Sequence, residues 1–476
     1  MKRQLGEDAE REEQNDARVP PSGLHAPGAV RHAEKRRTGT CSFADRIGTV
    51  SLECFRQHIP ESFRETQKQT CVAAIVAHFS SDGHLQVQGL GVGTKFLSER
   101  VLKQEEACED DPTEYLEGVD GHSYCRGYGV LVRDCHAEVL ARRAFRRQLY
   151  VDKQTTRVRS ILEQTAGGLF RLKPEVTLHL YSSSAPCGNS TIKKFATMQK
   201  EAFNALLGPN EWPSQQHQVI PPHSLKLGQF ALLLKKDRTM TNVVKGEPFE
   251  GGKLWPANTS DEWCPPGTTI VWSNQGSIHT CSDKICRWNY LGLQGSLLSS
   301  LLESPLYMES LTVGRKFTSC ICRRAICCRA VEKKTTLANT YSLHHPAIMG
   351  TGIYMDVTGI LKMHDESEFG QDVRFDSSLC YAWWPDLGDD LEVIDGSNGL
   401  AWRNSEANRV SRLSTASLIR LHFTSTGNSD PLHLINPKSV RSLKTQLSPG
   451  YESAKESLMA NHKMFRGWRR RGSGLA

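Results

Sequence analysis

Residues 134–143 read Asp-Cys-His-Ala-Glu-Val-Leu-Ala-Arg-Arg, and Val139, Leu140 and Phe145 recur at helical spacing. The spacing predicts an amphipathic helix that begins here and turns its apolar face into the core, with His136 and Glu138 in its first turn. A candidate metal ligand and a candidate proton carrier at a helix start constrain the fold, because the helix must be buried on one side and open onto a site at its end. Two other stretches carry similar residues: His32-Ala33-Glu34 in a charge-alternating arm, and His364-Asp365-Glu366 among acidic and hydroxyl residues. Neither is followed by an apolar periodic run, so both are read as solvated.

Around this stretch, strand and helix patterns alternate. Residues 71–79 read as a buried strand, and residues 85–90 alternate as its hairpin partner across an Asp82-Gly83 turn. Gly91-Val92-Gly93-Thr94-Lys95 is expected to be a flexible loop. Residues 176–181 form the next strand and run into Ser182-Ser183-Ser184-Ala185-Pro186-Cys187-Gly188-Asn189, a corner that puts Cys187 at a helix start. Further strands are expected at 268–272, 306–313, 353–360 and 391–394, and helices at 320–330, 410–421 and 451–465. This alternation indicates an α/β sandwich around a mainly parallel or mixed sheet. Residues 1–45 mix both charge signs with Pro20, Pro21 and Gly23 and are expected to be a disordered arm. The folded domain is expected over 63–471, with an acidic, irregular insertion at about 96–128 and a Pro-, Gly-, Asn- and Lys-containing insertion at about 196–265.

Composition bounds the setting. With 23% charged and 38% apolar residues in 476, the chain has the balance of a soluble globular protein. No apolar run is long enough to cross a bilayer, and no hydrophobic leader follows Met1, so an intracellular location, nucleus or cytoplasm or both, is expected. Fifteen cysteines then read as thiols rather than a disulfide framework. A net charge of +7 fits an anionic partner. Lys35-Arg36-Arg37 has the pattern of a nuclear address or a nucleic-acid contact, and the cluster from Arg466 to Arg471 reads as a solvated tail. Cys320, Cys322, Cys327 and Cys328 lack a C-x-x-C pair and read as buried thiols, and Trp383-Trp384 as core. Cys71 and Cys286 read as packing residues.

Zinc deaminases carry H-x-E and then P-C-x-x-C, with one His and two Cys on the metal. In this chain the position three after Cys187 is Ser190, which does not replace a thiolate, so the second sulfur has to come from elsewhere. Cys281, which also heads a helical pattern, is the candidate. Three protein ligands leave the fourth tetrahedral position to water, the mark of a catalytic site. His136-Ala-Glu138, Pro186-Cys187-Gly188 and Cys281-Ser-Asp-Lys-Ile-x-Arg-Trp-Asn resemble the catalytic domain of the adenosine deaminases acting on RNA and of the tRNA-specific adenosine deaminase 1 family. The resemblance continues through residues 291–298, 303–314 and 323–325, Leu391-Glu-Val-Ile-Asp-Gly, Ser411-Arg-Leu and Tyr451-Glu-Ser-Ala-Lys455, and so covers roughly 67–470. It implies a cytidine-deaminase-like α/β/α sandwich around a mixed sheet, zinc on His136, Cys187 and Cys281, and Glu138 as the catalytic proton carrier.

Helical spacing puts Arg142 and Arg143 broadly on the ligand-bearing face of their helix, with Lys284 one turn below Cys281 and Arg287 one turn below Lys284. Cations aimed inward need partners, because burying a lone charge costs several kcal/mol or more. Pairing with Asp134 and Asp283 is one answer, and a bound polyanion is the other. The resemblance implies inositol hexakisphosphate, held through Arg142, Arg143, Lys284, Arg287, Gly295, Ser296, Tyr451, Lys455 and Trp468, and RNA contacts at Thr94 and Lys95.

Attack on adenine C6 needs the base outside any stack. The stretch before Cys281 does not resemble the family's base-flipping loop, and no double-stranded-RNA module is read upstream, which favours a tRNA anticodon loop. The resemblance implies hydrolytic deamination of the adenosine 3′ of the anticodon, giving inosine and ammonia. A deaminase of duplex or messenger RNA, and a catalytically inactive RNA-binding or scaffold protein, are the alternatives.

Overall fold

Residues Val72–Phe79 are apolar but for His78 and form a strand at the middle of the chain's largest sheet. The structure is a computed structural model and describes residues 41–61, 70–97, 99–108, 114–127, 129–152, 159–187, 190, 255–256, 263–264, 280–327, 340–355, 378–387, 391–403, 406–427 and 437–461. The sheet has nine strands in the spatial order Ala347–Gly350, Ser310–Arg315, Val176–Ser184, Val72–Phe79, His84–Val92, Leu379–Trp383, Glu392–Asp395, Ala401–Arg403 and Glu406–Arg409. The first three run parallel to one another, and every other neighbouring pair is antiparallel.

The two-residue period of Val72–Phe79 divides the core. Val72, Ala74 and Val76 face one side and pack with Ile47, Leu52 and Phe55 of the helix Phe43–His58. Ile75, Ala77 and Phe79 face the other side with Phe145 of the helix Ala137–Val151 and with Ile285 and Trp288 of the helix Cys281–Leu291. Three layers, α/β/α around a mixed sheet, result, as the alternation of patterns led one to expect.

Several local expectations are corrected. Folding begins before residue 63: Phe43–His58 is a helix, started by Ser42, whose Oγ accepts the Asp45 N–H at 3.1 Å. Its buried face includes the small residues Ala44, Gly48 and Ser51, which dilute the apolar period. Gly91–Lys95 is not a flexible loop, since Gly91 and Val92 complete the strand His84–Val92, and Thr94–Phe96 pairs antiparallel with Asp134–His136. The acidic stretch 96–128 contains the helix Glu99–Ala107 and the paired strands Tyr115–Glu117 and Ser123–Cys125. It is tied down because Glu105 is buried against Arg133 at 2.5 Å.

Of the strand expected at 353–360, residues 353–355 are not in a strand and 356–360 lie outside the described residues; a strand forms at Ala347–Gly350, and the helices are Ser319–Ile326, Thr415–Ser425 and Pro449–Asn461. Residues 1–40, both His-x-Glu-like decoys, most of 196–265, the strand at 268–272, the segment from 191 onward where a helix was expected after Cys187, and Trp468 lie outside the described residues. Trp384, Cys286, Cys322 and Cys327 are buried, and Trp383 stacks on His58 at 4.0 Å. No helix among the described residues is long and apolar enough to cross a membrane.

Candidate active site

The height of the His136 helix above the sheet is set by glycine. A Cβ at Gly91 would run into the Ala137 carbonyl oxygen and the Ala141 amide, and one at Gly89 into the backbone of Phe145 and Ala141. The bare backbone lets Ala137–Val151 lie directly on His84–Val92, and the Ala137 N–H donates to the Gly93 carbonyl at 3.0 Å. His136 therefore stands at a fixed corner where the strand Asp134–His136 passes into the helix.

Asp134 fixes the ring at that corner. Its Oδ1 accepts the His136 backbone N–H at 2.9 Å and lies 2.5 Å from Nδ1. A carboxylate at Nδ1 holds the proton there, so the lone pair is on Nε2, the tautomer a metal ligand needs. The Phe96 ring stacks on the imidazole at 5.9 Å and confines its plane. The other carboxylate oxygen, Oδ2, pairs with Lys284 Nζ. Burial and the nearby Arg287 charge pull the Lys284 ammonium toward its neutral form, and the Asp134 contact opposes them. Asp283, the other carboxylate considered for the basic residues, is instead committed to the start of its helix: it exchanges hydrogen bonds with Thr280 in a capping box.

Cys281 opens that helix, one turn before Lys284, and its N–H donates to Cys187 Sγ at 3.2 Å. The Ser282 N–H donates to the Cys187 carbonyl at 3.0 Å, and Ser282 Oγ accepts the Ser190 N–H at 3.1 Å. Ser190, at the position where a second thiolate would stand in P-C-x-x-C, thus locks the Cys187 corner onto the Cys281 helix. Glu138 is buried in the first turn of the His136 helix, and Ser182 Oγ of the neighbouring strand lies 3.4 Å from its Oε1. Three distant segments carrying His136, Cys187 and Cys281 are joined by these bonds. Among the described residues no three His, Cys, Asp or Glu side chains are drawn together as a metal-holding cluster.

Thr94 pairs with His136 and Lys95 with Cys135 in the short strand ladder, so both flank the corner. Arg142, Arg143, Arg146 and Arg287 form a layer of neighbouring cations, and the Arg287 charge also reaches Lys284. Arg142 Nε and Arg146 Nε are buried and have no hydrogen-bond partner. Burial and then the Arg146 charge weaken the hold of Arg142 on its proton, with Arg287 and Arg143 adding to the effect. The Arg142 guanidinium lies over Trp288 at 5.0 Å. Gly295 closes on it: a Cβ there would sit 3.3 Å from both Arg142 Nη2 and Arg146 Cζ.

Tyr451 is near enough to act on the charges of both Arg142 and Arg287. Arg143, whose charge also acts on Arg142, donates from Nη1 to the Leu413 carbonyl at 2.7 Å, and Lys455 pairs with Glu452 at 2.5 Å. Ser296 is buried, its carbonyl accepting from Ser448 Oγ at 2.6 Å. The structure adds Arg146 to the expected set; it stands four residues after Arg142, so the same helical spacing could have found it.

The model of the adenosine-deaminase (editase) domain matches residues 119–472. The double-stranded RNA-specific adenosine deaminase of Mus musculus is 31% identical over 382 residues, which cover 78% of this chain and 27% of that protein. The tRNA-specific adenosine deaminase 1 of Mus musculus is 24% identical over 299 residues, 50% of this chain and 60% of that protein, and its Homo sapiens counterpart is 26% identical over 267 residues, 41% and 52%. The chain thus spans about a quarter of the length of the mouse and rat double-stranded RNA-specific adenosine deaminases and little more than half that of the tRNA-specific relatives. With the matched domain running through the His136 corner, the Cys187 corner and the Cys281 helix, the chain belongs to the adenosine-deaminase (editase) domain family.

Proposed function

We propose that this chain hydrolyses adenosine to inosine in RNA, with zinc on His136, Cys187 and Cys281, and that its substrate is the adenosine 3′ of a tRNA anticodon. The observation that carries the reading is the bond framework in which Asp134 orients His136 while the Cys281 N–H meets Cys187 Sγ. One imidazole with its Nδ1 on a carboxylate, together with two cysteine sulfurs, is a nitrogen-and-sulfur donor set that suits zinc. Bound there, zinc would supply Lewis acidity toward a water at neutral pH. Glu138 takes the proton of the attacking water, hands it to purine N1, and delivers a proton to the departing amine. Its burial keeps the carboxylate out of bulk solvent while it does so.

The cation layer fits inositol hexakisphosphate. Arg142 and Arg146 present buried nitrogens without hydrogen-bond partners, and Arg287 and Tyr451 are close by. That ligand would neutralise like charges the fold otherwise packs together. The tRNA reading is supported by the tRNA-specific relatives and by the difference between the stretch before Cys281 and a base-flipping loop. A second reading, deamination within duplex RNA, is favoured by the 31% identity to the double-stranded RNA-specific relative.

Incubating the purified full chain, loaded with zinc, with unmodified tRNA and with duplex RNA separates the two. Inosine at the position 3′ of the anticodon is the expected result, with metal and phosphorus retained by the protein. Inosine in the duplex alone would establish the second reading, and inosine in neither would overturn the activity.

A further inference from the structure

The strand Ser310–Arg315 ends beside the Cys187 corner. Arg315 is in register with Ser184, its carbonyl accepts the Ala185 N–H at 2.8 Å, and Pro186 and Cys187 follow at once. The next residue, Lys316, is exposed, and it is the only non-glycine residue with positive φ, 58°, among the described residues. That conformation costs an L-residue roughly 1–2 kcal/mol and costs glycine nothing. The position best suited to glycine therefore carries a long cationic side chain, and the adjoining Phe317 braces the turn by packing on Gly350.

In open α/β sheets, ligands bind beyond the carboxyl ends of the parallel strands, and Val176–Ser184 and Ser310–Arg315 both end on this rim. A backbone outlier held on such a rim points to function rather than to folding convenience. We propose that the Lys316 turn is a subsite for an RNA backbone phosphate flanking the target nucleotide, with the Lys316 ammonium as its point-charge contact. The subsite rests on the RNA reading given above. It reads no sequence: a single ammonium positions the strand and leaves recognition to the groups around the base.

The test compares the full chain with Lys316→Gly and Lys316→Arg. The glycine variant removes the charge while suiting the backbone, so its melting temperature should not fall. Binding of a fluorescein-labelled anticodon stem-loop RNA is followed by anisotropy across a salt series. Lys316→Gly should bind roughly five- to tenfold more weakly at low salt, and the slope of log affinity against log salt should shrink by about 0.7 to 1, as one lost phosphate contact requires. Lys316→Arg should restore both.

Unchanged affinity, or weaker binding with an unchanged slope, overturns the subsite. The deamination reading is scored apart, by inosine in this RNA and in a duplex of equal length treated with the unsubstituted chain: binding without inosine in either sinks that reading and leaves the subsite judged on the salt series. Failure of the unsubstituted chain to bind this RNA or a duplex of equal length overturns both.

Discussion

Asp134 has both carboxylate oxygens committed, Oδ1 to the His136 ring and backbone and Oδ2 to Lys284. Replacing it with asparagine keeps the shape and removes the charge, which leaves the buried Lys284 ammonium facing a neutral amide. Breaking a buried pair from one side costs about 3–5 kcal/mol. Losing the carboxylate behind a metal-bound histidine weakens the metal by about 10- to 100-fold. Asp134→Asn is therefore expected to lower the urea midpoint markedly and, with zinc on His136 as proposed, to surrender it to a chelator at lower concentration. A variant that unfolds and holds metal like the unsubstituted chain would remove Asp134 from the site.

At this scale the sequence was partly legible. Spacing put Lys284 under Cys281 and offered Asp134 as its partner, and that pair is present. The hydrogen bond from the same carboxylate to His136 was not legible, because a side chain's rotamer leaves no periodic trace.

The contact between the helix Ala137–Val151 and the strand His84–Val92 depends on Gly89 and Gly91. Gly91→Ala forces a methyl group against the helix backbone, which cannot swing aside as a flexible side chain would. Overpacking of this kind costs roughly 1–3 kcal/mol, and by lifting the helix start it should also reduce inosine formation if the proposed activity holds. Urea unfolding and activity check it together, with Gly352→Ala as the control because nothing lies within 4 Å of a Cβ there. Equal behaviour of the two variants would show that the close approach is dispensable. Most elements could be read from apolar runs and helical periods, since burial on one or both faces writes itself into the sequence. Gly91–Lys95 reads as a loop because glycines that admit a neighbouring helix look the same in sequence as glycines that make a loop. Phe43–His58 shows no clear apolar period in the sequence because half its buried face is small residues.

The whole molecule depends on a helix that covers the far face of the sheet. Phe43 of that helix sets its ring edge-on to His179 at 4.9 Å and to His78 at 5.1 Å. His179 is buried between Thr177 Oγ1 and Ser310 Oγ, each 2.8 Å from a ring nitrogen. Burial, helped by His78, lowers its pKa from 6.5 to about 4. His78 is lowered too, by burial and by Arg46 of the covering helix.

Because the folded pKa of His179 lies below the unfolded one, the neutral ring's contribution is full above about pH 6.5. It is lost as pH falls toward 4, amounting to about 2–3 kcal/mol. Acid should therefore loosen residues 43–58 before the antiparallel strands, as seen by hydrogen exchange between pH 7 and 4. A His179→Gln chain should show a shallower loss of stability over that interval, and an identical pH slope would count against the imidazole.

Two cysteines 94 positions apart in sequence are neighbours in space. The Cys281 N–H to Cys187 Sγ bond and the Ser282 N–H to Cys187 carbonyl bond hold the two together. Closing a longer loop between fixed ends adds only about 0.6 kcal/mol for each doubling of its length. The number of residues between these two cysteines can therefore change at little thermodynamic expense, while the distance between their sulfurs in space is kept.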